Sequence, residues 1–250
     1  MTDAELQIKL SYMKFAIFFV LSAGALSLSA CSESFTDPRD GQSYDVVKIG
    51  NLTWMAENLN FETAMSVCPE NDSRNCKRMG RLYSWVEAKS VCPEGWRLPT
   101  KADFESLIAA AVGEDATSED AAQSPSQSFA QSRSGNPGTV PNASSAVQNN
   151  KAGVVLKARD GWFKKGNGSD ALGFKALPAG YRSAVSKADD GAVTGGKFDG
   201  IGGYAYFWSA TEDSGNRESN AYYLFLSFSN KSASVNSFSK SDLRSVRCVR

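Results

Sequence analysis

The sequence predicts a mixed α+β fold, on three observations. A helical stripe follows Pro99, an alternating apolar strand covers Tyr222–Phe228, and glycine and aromatic residues concentrate between Gly166 and Ala210, as in long irregular loops on a scaffold. The layout expected is two early helices followed by antiparallel sheets of short strands, forming a single domain over residues 43–250.

The chain opens with a targeting pattern. A basic Lys14, an apolar run from Phe15 to Ala30 and a small-residue exit are the parts of a secretory signal, and the run is shorter than the roughly 20 residues a spanning helix needs. Leu28-Ser29-Ala30-Cys31 resembles a bacterial lipobox, which implies a diacylglyceryl group on the Cys31 sulfur and cleavage ahead of it. Met13-Lys14 reads as the natural start, so residues 1–30 divide into an upstream extension and a signal peptide. Residues 31–42, polar and broken by Asp37-Pro38, read as a lipidated tether, with order beginning near Tyr44. The expected location is outside the cytosol, lipid-anchored at the outer membrane or cell surface, with Ser32 after the lipidated cysteine favouring the outer membrane.

Tyr44–Ile49 and Leu52–Met55 flank Gly50-Asn51, a Gly-first pair suited to a type II′ hairpin turn. Leu82, Trp85, Ala88 and Cys92 recur at helical spacing and predict a first helix over Arg81–Cys92. A second starts after Thr100, with Asp103 positioned to complete a capping box, Phe104, Leu107, Ile108, Ala111 and Val112 on one stripe, and Gly113 as its end. Glu114–Asn150, poor in apolar residues, has little to bury against the entropy of ordering and predicts a flexible insertion. Strands follow at Tyr222–Phe228, Ala233–Phe238 and Ser245–Val249.

Composition narrows the chemistry. Lys+Arg and Asp+Glu are equal at 27 each, so nothing favours a nucleic-acid partner. Histidine is absent, which removes the usual neutral-pH base, Ser-His and Cys-His pairs and the commonest zinc ligand. With Cys31 assigned to lipid, Cys68, Cys76, Cys92 and Cys248 form an even set in an exported chain and predict two disulfides.

Ala88, Cys92, Gly95 and Leu98, followed by a helix and a cysteine in the last strand, resemble the C-type-lectin-like fold. That resemblance implies a Cys92–Cys248 bridge and leaves Cys68–Cys76 as a local loop. A closer resemblance is to the FISUMP family, the major paralogous domain of Fibrobacter-type surface proteins. It rests on Asp40-Gly41-Gln42-Ser43-Tyr44, Trp54-Met55-Ala56-Glu57-Asn58-Leu59, Cys92-Pro93-Glu94-Gly95-Trp96-Arg97-Leu98-Pro99-Thr100, Leu177-Pro178-Ala179-Gly180-Tyr181-Arg182, Trp208-Ser209-Ala210-Thr211-Glu212 and Ser245-Val246-Arg247-Cys248-Val249. The family implies exported, often lipid-anchored domains with no established activity.

The late aromatic residues supply the candidate site. Trp162, Tyr181, Tyr204, Tyr206 and Trp208, with Glu212 beside them, are expected to bind a polysaccharide, a cell-wall component or a surface protein, since aromatic faces stack on apolar faces of sugars. Tyr222 and Tyr223 belong to the same group. Asp189, Asp190, Asp199, Glu212 and Asp213 lack a calcium-site spacing and read as solvated carboxylates, so no metal or cofactor is assigned. Glu212 and Asp213 are chain neighbours, a poor arrangement for two carboxyl groups flanking a glycosidic bond, so no catalytic residue is assigned. A polysaccharide-active enzyme and a structural surface protein without a soluble ligand are the alternatives to this binding module, whose expected role is carbohydrate binding or adhesion.

Overall fold

The computed structural model describes residues 33–117, 150–187 and 193–250. Order begins earlier than the sequence predicts. Strand β1 (Ser34–Thr36) pairs antiparallel with β2 (Ser43–Ile49), which pairs with β3 (Leu52–Met55). Much of the expected tether is thus part of the fold. Its turn is closed by buried Asp37, whose carboxylate accepts from Arg39 Nη2 at 2.7 Å. Burial pushes the Asp37 carboxyl up, but the hydrogen bonds from Arg39 outweigh it and leave the pKa below the usual carboxylate range. The predicted hairpin is present: Ile49 faces Leu52, and Gly50 takes φ 61, the sign required at the first position of a II′ turn.

The first predicted helix is shorter. Leu82 bridges Val67, and β4 (Tyr83–Ser84) pairs with a late strand, so the segment before Trp85 is extended. The Ser84 side chain then accepts from the Glu87 amide and starts a one-turn helix, Trp85–Ala88. The face expected of Leu82, Trp85 and Ala88 is buried all the same, because a short strand and a helical turn can deliver the same side chains to one core. An additional helix, α1 (Ser73–Met79), is capped by Asp72 and stapled by a Cys68–Cys76 bridge. The one-turn helix is α2.

Helix α3 (Lys101–Thr117) has the predicted capping box: the Asp103 amide donates to Thr100 Oγ1 at 3.2 Å, and the Thr100 amide donates to Asp103 Oδ2 at 2.7 Å. Phe104, Leu107, Ile108 and Ala111 are buried, but Val112 is exposed and the helix runs through Gly113, which costs only about 1 kcal/mol in a helix interior. Of the expected insertion, residues 114–117 belong to this helix, 118–149 lie outside the described residues, and Asn150 at its end belongs to the fold. There Asn150 Oδ1 accepts from the amides of Ala152 and Ala233, pinning α4 (Ala152–Leu156) to the sheet.

Gly166–Ala210 is richer in strands than expected. Here lie β5 (Ala179–Arg182), a small hairpin of β6 (Val185–Lys187) with β7 (Val193–Gly195), then β8 (Phe198–Ile201) and β9 (Tyr204–Glu212). The glycines that suggested loops permit close strand approach: a Cβ on Gly180, at φ 66, would stand 2.3 Å from the Asp199 carbonyl oxygen. With β10 (Asn220–Ser227), β11 (Ala233–Ser239) and β12 (Leu243–Arg244) they make a sheet ordered β11-β10-β9-β5-β12-β4, with β8 also on β5. The β5–β9 pair is parallel and the others are antiparallel.

One core lies between this sheet and helices α3 and α4, around Trp54, Phe104, Phe174, Phe207, Leu224 and Leu226. A second gathers Tyr83, Trp85, Trp96, Trp208 and Cys248. The chain end closes both. Ser245–Val249 is not the continuous strand predicted; instead Val249 bridges both Trp54 and Arg97, and the Met55 amide donates to the Cys248 carbonyl at 3.0 Å. Cys92 and Cys248 are bonded across a sequence separation of 156, which in the chain-entropy model restricts the unfolded chain by about 5 kcal/mol.

Candidate functional site

Strands β9 and β10 divide their side chains between two environments by the period of two. Ala205, Phe207, Leu224 and Leu226 enter the helix-packed core, while Tyr204, Tyr206, Tyr223 and Phe225 stand half-buried on the other face. The register puts Tyr206 opposite Phe225, and their ring centroids lie 5.1 Å apart. Tyr181 joins from β5, its ring 5.1 Å from that of Tyr206, because Gly180 pairs with Ala205 on the neighbouring strand. Tyr204 stacks on Phe225 at 5.8 Å and meets Phe228 at 6.1 Å. The hydroxyls of Tyr181, Tyr204, Tyr206 and Tyr223 bond no described residue, and none is sealed from solvent. Burial raises the Tyr206 pKa well above the ordinary phenol value, with Arg244 pulling the other way, so the group is a neutral donor across the physiological range.

Arg244 of β12 supports these rings from below. It is 2 % exposed, and its Cζ lies 4.0 Å from the ring of Tyr223, 4.8 Å from Trp208 and 4.9 Å from Tyr206. Its Nη2 donates to Asp242 at 2.8 Å, while Nε and Nη1 are buried with no hydrogen-bond partner among the described residues. A desolvated cation over aromatic faces gains about 2 kcal/mol per good contact, which helps to offset the missing bonds.

A depression of about 220 Å³ borders the rings and is lined by Phe225, Asn230, Ser232, Ser234 and Asn236. Register aligns the polar residues with the aromatic ones, Ser234 opposite Phe225 and Asn236 opposite Tyr223. The face can therefore offer stacking surface beside uncharged donors and acceptors.

Of the residues the sequence singled out, Tyr181, Tyr204 and Tyr206 come together here. Trp162 and Trp208 do not serve as surface rings: both are buried, and their indole N–H groups donate to the carbonyls of Ala176 at 3.0 Å and Tyr83 at 2.9 Å. Trp208 is enclosed because β9 is covered on both faces at that level, by the two cores. Glu212 is exposed at the end of β9 and paired with Lys240 at 2.9 Å, whose hydrogen bond holds its carboxyl below the usual range. Tyr222 points the opposite way from Tyr223, with Lys101 of α3 at 5.1 Å from its ring. Phe225, Phe228 and Arg244 went unrecognised; the Tyr-x-Tyr of β9 and Tyr-x-Phe of β10 were the available signal for the first. Cys31, Asp189 and Asp190 lie outside the described residues. Among the described residues no group of three or more His, Cys, Asp or Glu could hold a metal ion.

These features define a disulfide-bonded α+β domain that presents an aromatic sheet face. The chain belongs to the family of the Fibrobacter succinogenes major domain, whose model matches residues 47–250. No curated protein and no solved structure gives a significant match to it.

Proposed function

We propose that this is an exported, lipid-anchored binding module without catalytic activity, which holds a polysaccharide on the aromatic face of β5, β9 and β10. The observation that carries the reading is the cluster of Tyr181, Tyr204, Tyr206, Tyr223 and Phe225, with phenol hydroxyls that bond no described residue and a polar depression alongside. Rings of this kind cover the apolar face of a pyranose, and Ser and Asn side chains take its hydroxyls.

A C-type-lectin-like architecture belongs to the same proposal; its support is the Cys92–Cys248 bridge joining an early helix region to the chain end. Lipid on Cys31 would hold the domain close to a membrane, since β1 starts at Ser34 and little chain is left to act as a spacer.

The test is retention of the exported protein on a panel of insoluble polysaccharides, beside a Tyr204→Ala/Phe225→Ala variant. Retention on at least one polysaccharide, weakened about tenfold or more in the variant, is expected. No retention on any of them, equal retention of the variant, or release of reducing sugar by the wild type would each overturn the proposal.

A further inference from the structure

The ring contacts do not stop at the tyrosine cluster. Phe163 lies 6.5 Å from Phe228, Phe228 lies 6.1 Å from Tyr204, Tyr204 lies 6.2 Å from Tyr206, and Tyr206 lies 5.7 Å from Tyr223. Beyond Tyr223 the path reaches Phe238, both rings being set around Arg244. The stripe runs lengthwise along β9 and β10, from the turn after α4 to the far end of β11.

Its two ends are unusual. Among the described residues, Phe163 and Phe238 are the phenylalanines standing more than half in solvent, at 54 % each. Isolated exposed apolar side chains need no explanation, but here the two most exposed rings stand at the ends of one row, joined by ring contacts from Phe163 to Tyr223 and through Arg244 to Phe238. Phe163 is fixed there by the backbone: a Cβ on Gly202, at φ 78, would stand 2.3 Å from its ring, and its amide donates to the Gly202 carbonyl at 2.8 Å.

We infer that the ligand is an extended, uncharged polysaccharide chain bound along its length, with several consecutive sugar units on the stripe from Phe163 to Phe238. This rests on the glycan-binding reading above and specifies its ligand class. A single sugar or a chain end would be served by one or two rings; the rest of the stripe would then be exposed without use. Neutrality follows from the edges. The depression beside β11 is lined by Ser, Asn and Phe, and the exposed carboxylate of Asp199 sits opposite Tyr181 across β5 and β8, where it would repel an acidic polymer. Arg244 is buried among the rings and bonded to Asp242, so it is not set out as an anion clamp, and the exposed Lys164 and Lys165 confine positive charge to the Phe163 end of the stripe.

The experiment measures affinity of the exported protein for linear neutral oligosaccharides of glucose, xylose and mannose, from single sugars to hexamers, with polygalacturonate as the acidic comparison. For at least one sugar, affinity is expected to rise steadily with chain length. Phe163→Ala and Phe238→Ala are each expected to weaken the hexamer about tenfold, to leave dimer binding within about twofold, and to keep the near-UV circular dichroism of the wild type. Tight binding that is independent of length, end variants with full hexamer affinity, or preference for polygalacturonate would overturn this inference while leaving a glycan-binding module standing. Binding of no saccharide, with loss of dimerisation in the same variants as the alternative use of the face, would overturn both.

Discussion

The two sides of β9 and β10 each rest on a buried arginine, and the two arginines are treated differently. On the helix-packed side Arg247 is fully buried against Phe174 and Phe207, and every guanidinium nitrogen has an acceptor: Nε donates to Asn58 Oδ1 at 2.8 Å, Nη1 to the carbonyls of Met55 and Phe174, and Nη2 to that of Lys175 at 2.8 Å. On the outer side Arg244 has one carboxylate, several rings and two nitrogens without a partner. The first is a stitch that ties the chain end to two separate segments, Met55–Asn58 and Phe174–Lys175. The second is a pedestal whose bonding is sacrificed to keep a set of rings in place. A side optimised for stability satisfies its polar groups; a side that presents a surface tolerates a deficit.

That contrast can be broken by substitution. Arg247→Met strands Asn58 Oδ1 and the buried carbonyls of Met55 and Phe174 and should cost about 3–5 kcal/mol, read from urea unfolding. Phe207→Ala on the same side should cost about 3–5 kcal/mol, against about 1 kcal/mol for the half-buried Phe225→Ala; equal values would show that the outer rings are core after all. Arg244→Met leaves Asp242 charged and buried, at a cost of about 2–3 kcal/mol, and adding Asp242→Asn should return most of it, because the amide oxygen can still accept from the Ala184 amide. If the second substitution returns nothing, the ion pair is not what Arg244 contributes.

The smallest effect is in pH. Burial pushes the Tyr44 hydroxyl up to about 12 and that of Tyr206 higher still. In the unfolded chain these groups ionise near 10, so above that pH the folded state holds protons the unfolded state has released, and stability falls as pH rises. Below pH 10 this contribution is fully present. Tyr206→Phe removes one such group and should flatten the decline between pH 10 and 12 by about 1 kcal/mol per pH unit, measured as urea midpoints; an unchanged slope would mean that Tyr206 ionises as freely in the folded protein as in the unfolded chain.

The hairpin at Gly50-Asn51, the Thr100–Asp103 capping box and the alternation in β10 were legible in the sequence because each depends on residues within a few positions of one another. The opening strand was not. Its turn is closed by an Asp37–Arg39 pair, and polar residues beside Asp37-Pro38 look the same in a tether. The first helix is shorter than its spacing predicts because Leu82 pairs with Val67 in the preceding loop and Tyr83 with Arg244 near the chain end, and those partners override helical spacing. The glycines between Gly166 and Ala210 suggested loops, although several make room for neighbouring backbone.

By itself the sequence determined the mixed α+β class, the even set of four cysteines in the domain and the supply of aromatic residues in its second half. Their pairing came from family resemblance. Only the tertiary structure decided that Trp162 and Trp208 are core while Tyr181, Tyr204 and Tyr206 share a face. The reason is that periodicity tells which residues of a strand lie on the same side, whereas burial depends on what else covers that side. Here helices α3 and α4 cover one side, and the other is left to a row of rings over a buried guanidinium.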